Sequence, residues 1–210
     1  MVGEVEASAV RSGERRLDGD KARRIIQAMR KSVGQRGAAA STFDRVAREA
    51  GVSRGLLHYY FGSKERLLAE VVRHDCEVRL EQLDKRLAGA TTVEDVVKAL
   101  VEQLEAFLGE DPENQAVIYE LLSASRRSPE IRAELAQLYR RWRDHLAQAL
   151  REKEEQGVLR LAGDPEAVAS VLYALADGMG IQLLADPDWD SSKVFEFGMR
   201  MLRDLLAAPA

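Results

Sequence analysis

The spacing of helix-breaking and helix-capping residues constrains this chain more than any other feature. Gly, Pro, Ser, Thr and Asp recur at intervals of one helix length, and apolar residues between them follow the i, i+3, i+4 spacing of a helix. No segment alternates β-branched and polar residues over the length of a strand. Ala, Leu, Glu and Arg, which favour helices, dominate the composition. The sequence therefore predicts an all-α fold.

The breaks divide the chain into nine predicted helices with no internal repeat. The predicted spans are about 18–35, 43–50, 54–61, 64–87, 93–108, 112–125, 129–156, 165–185 and 192–206. Pro112, Pro129 and Pro165 stand at helix starts, where the missing N–H of proline costs no hydrogen bond. Residues 1–17 show no helical period, and we interpret them as a loose arm.

Charge is distributed unevenly along the chain. Residues 11–66 carry 14 Lys and Arg against 6 Asp and Glu, whereas residues 67–210 carry 17 against 27. This asymmetry indicates a head that binds a polyanion, attached to an acidic body. Chance clustering of solvated charges is the alternative.

Several functional classes lack their sequence signals. The single cysteine, Cys76, excludes an intrachain disulfide and a multi-cysteine zinc site. The three histidines are scattered, and no Gly-rich phosphate loop or nucleophile elbow occurs, so we expect no cofactor, no metal and no catalytic residues. The N-terminus does not resemble a signal peptide, and no apolar run approaches the roughly 18 residues of a membrane span. We expect a soluble cytoplasmic protein that is not an enzyme and binds no membrane.

Residues 41–68 carry the most informative motif, STFDRVAREAGVSRGLLHYYFGSKERLL. Two short helices meet at a tight turn containing Gly51, which is the pattern of a helix-turn-helix. If Leu57 and Phe61 face inward, the outward side chains of the second short helix are Arg54, Gly55, His58 and Tyr59. An exposed basic and aromatic face on a short helix suits insertion into a DNA major groove.

This motif resembles the signature of the TetR family of bacterial transcriptional regulators. The matching positions are Thr42, Val46-Ala47, Ala50-Gly51-Val52-Ser53-Arg54-Gly55, Leu57, Tyr60-Phe61 and Ser63-Lys64-Glu65-Arg66-Leu67-Leu68. The match covers about residues 20–70. It implies a nine-helix TetR-like fold with a flexible arm over 1–17, a three-helix DNA-binding head over 18–66, and a helical effector-binding and dimerisation body over 67–210.

The resemblance also implies which residues contact DNA. Thr42 and the N-terminus of its helix would hold a phosphate, because free amides and the helix dipole favour an anion there. Arg54 and Gly55 would open the recognition helix toward base edges. Lys64 matches a phosphate-contacting lysine, with a solvated surface lysine as the alternative. The full implied set is Thr42, Arg54, Gly55, Leu56, His58, Tyr59, Tyr60 and Lys64.

Two of these positions depart from the family pattern, which usually has Thr and Tyr there. Leu56 either packs on a thymine methyl group or turns inward. His58 carries an imidazole that titrates near neutrality, so we hypothesise that DNA affinity rises modestly below about pH 6.5. In the arm, Arg11, Arg15 and Arg16 either reach a minor groove or belong to a solvated tail.

The middle helices carry six candidate ligand-binding side chains. They are aromatic or imidazole groups, most with a polar end, which suits an apolar cavity with a few orienting groups. The candidates are Phe107, Tyr119, Tyr139, Trp142, His145 and Tyr173, and plain core is the alternative for each. We expect a small apolar or aromatic effector. Residues 121–178 are similar to the effector domains of the branch that includes choline-responsive repressors, and no ligand is carried over from this weaker resemblance.

The helix predicted over 165–185 is apolar nearly all round, so it is expected to be buried on more than one side. With the last helix it is predicted to form a four-helix homodimer interface, since two DNA half-sites favour a two-fold dimer. The predicted interface residues are Val168, Val171, Leu175, Phe195, Met199 and Leu202, with monomer core as the alternative.

Together these features predict a ligand-responsive repressor that binds a near-palindromic operator in double-stranded DNA as a homodimer and is released by a small molecule. The alternatives are a DNA-binding regulator without a small-molecule effector and, from a different class, a helical enzyme.

Overall fold

The computed structural model describes residues 19–109 and 112–207 of the chain. Within these residues it contains nine helices and no strand, which confirms the predicted all-α fold. The helices are α1 (Gly19–Ala40), α2 (Phe43–Ala50), α3 (Arg54–Phe61), α4 (Lys64–Ala88), α5 (Val93–Gly109), α6 (Pro112–Ser125), α7 (Pro129–Glu155), α8 (Pro165–Ala185) and α9 (Ser192–Leu206). The predicted arm, with its three arginines, lies outside the described residues.

Local sequence signals set the ends of these helices. The side chains of Thr42, Ser53, Ser63 and Ser128 each accept a hydrogen bond from the backbone amide three residues further on. These caps satisfy amides that have no partner inside the helix. Gly51 ends α2 in the left-handed conformation with φ 67°, as the motif predicted. The first helix turns at Gly37, which has φ 75°, and one further turn follows before α2.

A first core cluster, which we call the head–body core, joins α1–α3 to the body. Ile25 and Met29 of α1 and Leu57 of α3 are buried in it together with Leu68 of α4 and Leu121 of α6. Helix α1 therefore packs against α4 and α6 as well as α2. Because apolar contacts cross from head to body, a displacement of one changes the packing of the other.

A second core cluster, the body core, lies where α5 and α7 meet the ends of α4, α8 and α9. Backbone bonds from Arg160 and Ala162 to the carbonyls of Leu206 and Leu205 hold the end of α9 there. Val168 and Leu202 belong to this core, with 4% and 8% of their surface exposed. The prediction that they form a dimer interface is corrected, because they have almost no area left to bury against a partner.

Helix α8 is apolar around most of its circumference but is poorly covered by its own chain. Its 21 residues are long and apolar enough to cross a membrane by length and composition, so the expectation that no such run exists was wrong. Length and composition are weak evidence for a span in a single helix, and the body core already holds Val168 and Ala169 at its N-terminal end. Its exposed apolar side chains therefore need another explanation.

Candidate nucleic-acid interface and internal cavity

The turn between α2 and α3 positions the recognition helix. The amide of Val52 donates to the carbonyl of Ala47 at 2.9 Å, which closes the turn around Gly51. Leu57 is fully buried beneath α3. The opposite side of α3 carries Arg54, Gly55, His58 and Tyr59 on the surface, where the motif predicted them. The side chain of Tyr59 is 58% exposed.

Arg54 makes hydrogen bonds to other side chains of the DNA-binding head. Its Nη1 donates to both carboxylate oxygens of Asp44, at 3.1 and 3.2 Å, and its Nε donates to Nε2 of His58 at 3.2 Å. Ion pairs this exposed contribute only about 0.2–1 kcal/mol, so DNA can compete for the guanidinium. These contacts hold Arg54 at the start of α3 until a stronger acceptor replaces Asp44.

Lys64 lies beside the junction of α1 and α2. Its Nζ donates to the carbonyl of Ala38 at 2.8 Å, and the residue is half-buried. Thr42 caps α2 nearby in sequence and accepts from the amide of Arg45 at 3.4 Å. Neither interpretation of Lys64, as a phosphate contact or as a solvated surface lysine, predicted that the ammonium also binds the last turn of α1.

The remaining predicted contacts differ in exposure. Leu56 is half-buried and packs against the head–body core, which favours the inward of its two alternatives. Tyr60 is half-buried and meets Tyr59 edge to face, with ring centroids 5.0 Å apart. A Cβ added to Gly55 would come no closer than 4.0 Å to Ser53 Oγ, so the fold itself does not require glycine at this exposed position.

A cavity of about 340 Å³ lies in the body between α4, α5 and α7 on one side and α8 and α9 on the other. Three of the six predicted ligand-binding residues line it, namely Phe107, Trp142 and Tyr173. The rings of Trp142 and Tyr173 are stacked with centroids 6.0 Å apart. The volume is close to the lower limit for small-molecule sites, about 300 Å³.

Asp177 forms a polar end of this largely apolar cavity. The hydroxyl of Tyr139 donates to its Oδ2 at 2.9 Å. Burial raises the pKa of Asp177, and this hydrogen bond opposes the rise. Burial and then the nearby carboxylate raise the pKa of the Tyr139 hydroxyl. Sequence reasoning did not select Asp177 as a site residue, although an acid in the middle of an apolar helix was the available signal.

Tyr119 lies close to the same end. Its hydroxyl is buried with no hydrogen-bond partner among the described residues. Burial raises the pKa of this hydroxyl, and the nearby carboxylate of Asp177 raises it further. The hydroxyl lies 2.6 Å from where a Cβ on Gly180 would stand. Glycine at position 180 therefore makes room for the Tyr119 side chain within the chain.

Arg79 supplies a second polar group in the cavity wall, and the sequence analysis missed it as well. Its guanidinium lies 5.1 Å from the centroid of the Phe107 ring, within range of a cation–π contact. Burial lowers the pKa of Arg79, and the carboxylate of Asp75 opposes this. The amide of Gln103 donates to the backbone carbonyl of Arg79 at 3.3 Å.

His145 is the candidate that the structure places elsewhere. Its Nε2 lies 2.7 Å from Oδ1 of Asp84, in a contact between α7 and α4, and it is not among the residues that line the cavity. His145 and Trp142 are three residues apart on α7, so their side chains project about 60° apart around the helix, and only Trp142 reaches the cavity. Cys76 is fully buried, and burial raises the pKa of its thiol.

The outer surface of α8 and α9 exposes six large aliphatic or aromatic side chains, which we call the apolar surface. They are Val171, Leu175, Ile181, Leu184, Val194 and Phe197. Of the predicted interface residues, Val171 and Leu175 belong to it, and Phe195 and Met199 line the cavity. The two regions adjoin, because Leu175, Val194 and Phe197 of the apolar surface also line the cavity. The signal for the exposed residues of α9 was a second apolar stripe at Val194, Phe197 and Met201.

Comparison with known proteins gave consistent matches. Residues 25–71 match the family of bacterial regulatory proteins of the tetR type, and residues 93–207 match the C-terminal domain of BetI-type transcriptional repressors. The HTH-type transcriptional regulator BetI of Rhizobium meliloti (strain 1021) is 32% identical over 161 residues, which is 75% of each chain. The HTH-type transcriptional regulator UidR of Escherichia coli (strain K12) is 23% identical over 88% of this chain and 92% of its own.

Among solved structures, a transcriptional regulator from Saccharomonospora viridis in complex with choline superposes with a TM-score of 0.72. It is 26% identical in sequence, and the match covers 89% of this chain and 96% of that one.

Proposed function

The chain belongs to the TetR family of bacterial regulatory proteins, with a BetI-type C-terminal domain, and we propose that it represses transcription as a homodimer whose effector is a small organic cation. That it is a ligand-responsive, DNA-binding transcriptional regulator follows from the family. The dimer, the DNA contacts, the effector class and a cytoplasmic location are parts of the proposal. No catalytic step is included in it.

The exposed face of α3 supports the DNA-binding part. A helix with exposed basic and aromatic side chains, on the basic third of the chain, suits a major groove. Arg54 and Gly55 face base edges in this proposal, while Thr42, His58 and Tyr59 meet the sugar–phosphate backbone together with Lys64. Tyr60 supports Tyr59 from the side. Leu56 contributes packing beneath α3.

The apolar surface supports the homodimer. Six large side chains exposed on two helices are a site at which a second protein surface buries area. A second copy of the same chain would bring two α3 helices to one DNA face, as two half-sites require.

The effector class is carried by the position of Asp177, which is half-buried beside aromatic rings. An organic cation is attracted to the faces of aromatic rings, and this attraction is stronger where water is excluded. It also compensates a carboxylate that burial disfavours in its charged form. The cavity of this chain thus has a carboxylate and five aromatic rings, and a related regulator binds choline. The small apolar or aromatic effector expected from the sequence would need no carboxylate such as Asp177.

The effector class is tested by comparing choline with 3,3-dimethylbutan-1-ol, which has the same shape without the charge. We expect choline to raise the unfolding temperature in a concentration-dependent manner and the alcohol to leave it unchanged, because binding to the folded state stabilises by mass action. An equal rise in unfolding temperature with both compounds, or no rise with either, would contradict the proposal of a cationic effector.

The DNA-binding part is tested separately by fluorescence anisotropy. The protein is titrated onto DNA from upstream of its own gene and onto a scrambled duplex, at two salt concentrations. We expect specific binding of two protomers per site. Equal binding to both duplexes that disappears in salt would be non-specific phosphate contact alone, and would contradict an operator in that DNA.

A further inference from the structure

Three charged side chains connect the cavity wall to the first helix of the head. Arg79 of α4 lines the cavity and lies over the Phe107 ring. Asp75 lies one helical turn earlier on α4 and is only 9% exposed. Arg30 of α1 brings its Nε to 3.4 Å from Oδ2 of Asp75. A series of charged side chains, shielded from water, therefore extends from the cavity wall to a helix that packs directly on α2.

The electrostatics tie the three groups together. Burial raises the pKa of Asp75, while Arg30 first and then Arg79 lower it. The same carboxylate raises the pKa of Arg79, against the effect of burial. Charges that are shielded from water interact more strongly than surface pairs. A shift of Arg79 relative to Asp75 therefore changes how tightly Asp75 holds Arg30.

The position of Arg79 makes such a shift a consequence of effector binding. Its guanidinium covers one face of Phe107, which is an aromatic face that an organic cation would also use. Two cations on one small ring surface repel each other, so the guanidinium and the effector cannot share it at full strength. Occupancy of the cavity and the resting position of Arg79 are thereby opposed.

We propose that Arg30, Asp75 and Arg79 transmit effector occupancy from the cavity to the DNA-binding head. The proposal rests on the proposed function, since it assumes both a DNA ligand and a cavity ligand. In the free protein Asp75 holds α1 and the cavity wall together. Displacement of Arg79 by an effector alters the Asp75–Arg30 contact and moves α1 relative to α4. Coupling is reciprocal, so DNA bound to the head must also change the cavity.

This reciprocity allows a test that needs no effector. The chain has two tryptophans, and Trp142 lines the cavity. In a Trp189→Phe background, acrylamide quenching of fluorescence reports Trp142 alone. The DNA probe is a duplex selected by this protein from a random-sequence pool. We expect saturating duplex to change the quenching constant of Trp142, and Arg30→Gln to abolish that change while the variant still binds the duplex.

Two further variants separate transmission from simple loss of an ion pair. Arg36→Gln is the matched control, because Arg36 is also on α1 but pairs with Glu49 inside the head, at 3.1 Å. It should keep the full Trp142 response. Arg30→Lys retains the charge and should restore part of the response. If circular dichroism shows that Arg30→Gln does not fold, Arg30→Lys is compared with Arg36→Gln, and a smaller response is expected in the former.

The outcomes distinguish the two proposals. If no duplex is selected from the pool, the proposed function fails, and the inference fails with it. A duplex that binds the parent protein without changing Trp142 overturns the inference alone. A response in the Arg30 variants equal to that of Arg36→Gln overturns it as well.

Discussion

Tyr59 on α3 and Leu184 on α8 are almost equally exposed, at 58% and 56% of their surface, but their surroundings differ. Around Tyr59 lie Arg54, His58 and the edge of Tyr60, on a head with an excess of positive charge. Near Leu184 in the sequence the exposed side chains include Ile181 and no cation. The same exposed fraction therefore indicates different partners, a polyanion for α3 and an apolar protein surface for α8.

The difference extends to the support beneath each helix. Leu57 of α3 is fully buried in the head–body core, so packing holds the outer face of α3 in a fixed position. Only three residues of α8, Val168, Ala169 and Gly180, are buried by its own chain. In our proposal a second copy of the chain supplies the missing cover. The following predictions test this contrast, beginning with the largest expected effect.

Leu184→Arg should abolish the dimer. A charge placed in the apolar surface must be desolvated on association, and loss of the second head removes the avidity of two half-sites, so operator affinity should fall by about 100-fold or more. Sedimentation velocity gives the oligomeric state and anisotropy gives the affinity. The matched control is Val78→Arg on α4, where an exposed valine should tolerate the change. A dimeric Leu184→Arg protein would place the interface elsewhere.

Asp177→Asn should affect ligand binding at the cavity side of α8 without affecting dimerisation at its outer side. Removing a half-buried carboxylate from a bound cation costs roughly 2 kcal/mol, so choline affinity should fall about 30-fold while the dimer remains. A normal choline affinity would contradict the assigned role, and a monomeric variant would show that the two sides of α8 are not independent.

The same variant should show a specific pH dependence of stability. Burial raises the pKa of Asp177, so its ionised form destabilises the fold, and stability is lost as pH rises through that pKa. Without effector, Asp177→Asn should therefore unfold about 2 °C higher than wild type at pH 7. The difference should vanish below about pH 4, where the carboxyl of an unfolded chain is also protonated. Calorimetry at the two pH values measures it.

Tyr59→Ala and Lys64→Ala should both weaken operator binding, by about tenfold each, but through different terms. Only Lys64→Ala should reduce the slope of log affinity against log salt, by about one, because only the ammonium releases a counterion. Lys64→Ala should also lower stability by about 1 kcal/mol through its lost bond to the Ala38 carbonyl. Equal salt slopes in the two variants would contradict the roles assigned to them.

The features that the sequence alone predicted correctly are local ones. Caps such as Ser53 and breaks such as Gly51 act within four residues, so they place helix ends without knowledge of the rest of the fold. The outward positions of Arg54 and Tyr59 follow in the same way, because a short amphipathic helix with a buried Leu57 leaves only one side for them.

Only the tertiary structure could decide features that depend on which helices meet. Helix α8 is apolar all round, so its sequence cannot tell the core residue Val168 from the exposed Val171 three positions later. His145 was expected in the cavity with Trp142 but pairs with Asp84 outside it, because the packing of α7 on α4 sets the limit of the cavity. The contact of Arg30 with Asp75 joins two helices far apart in sequence. A helical period fixes the angle between side chains on one helix, whereas the neighbour at each angle is set by how all the helices pack.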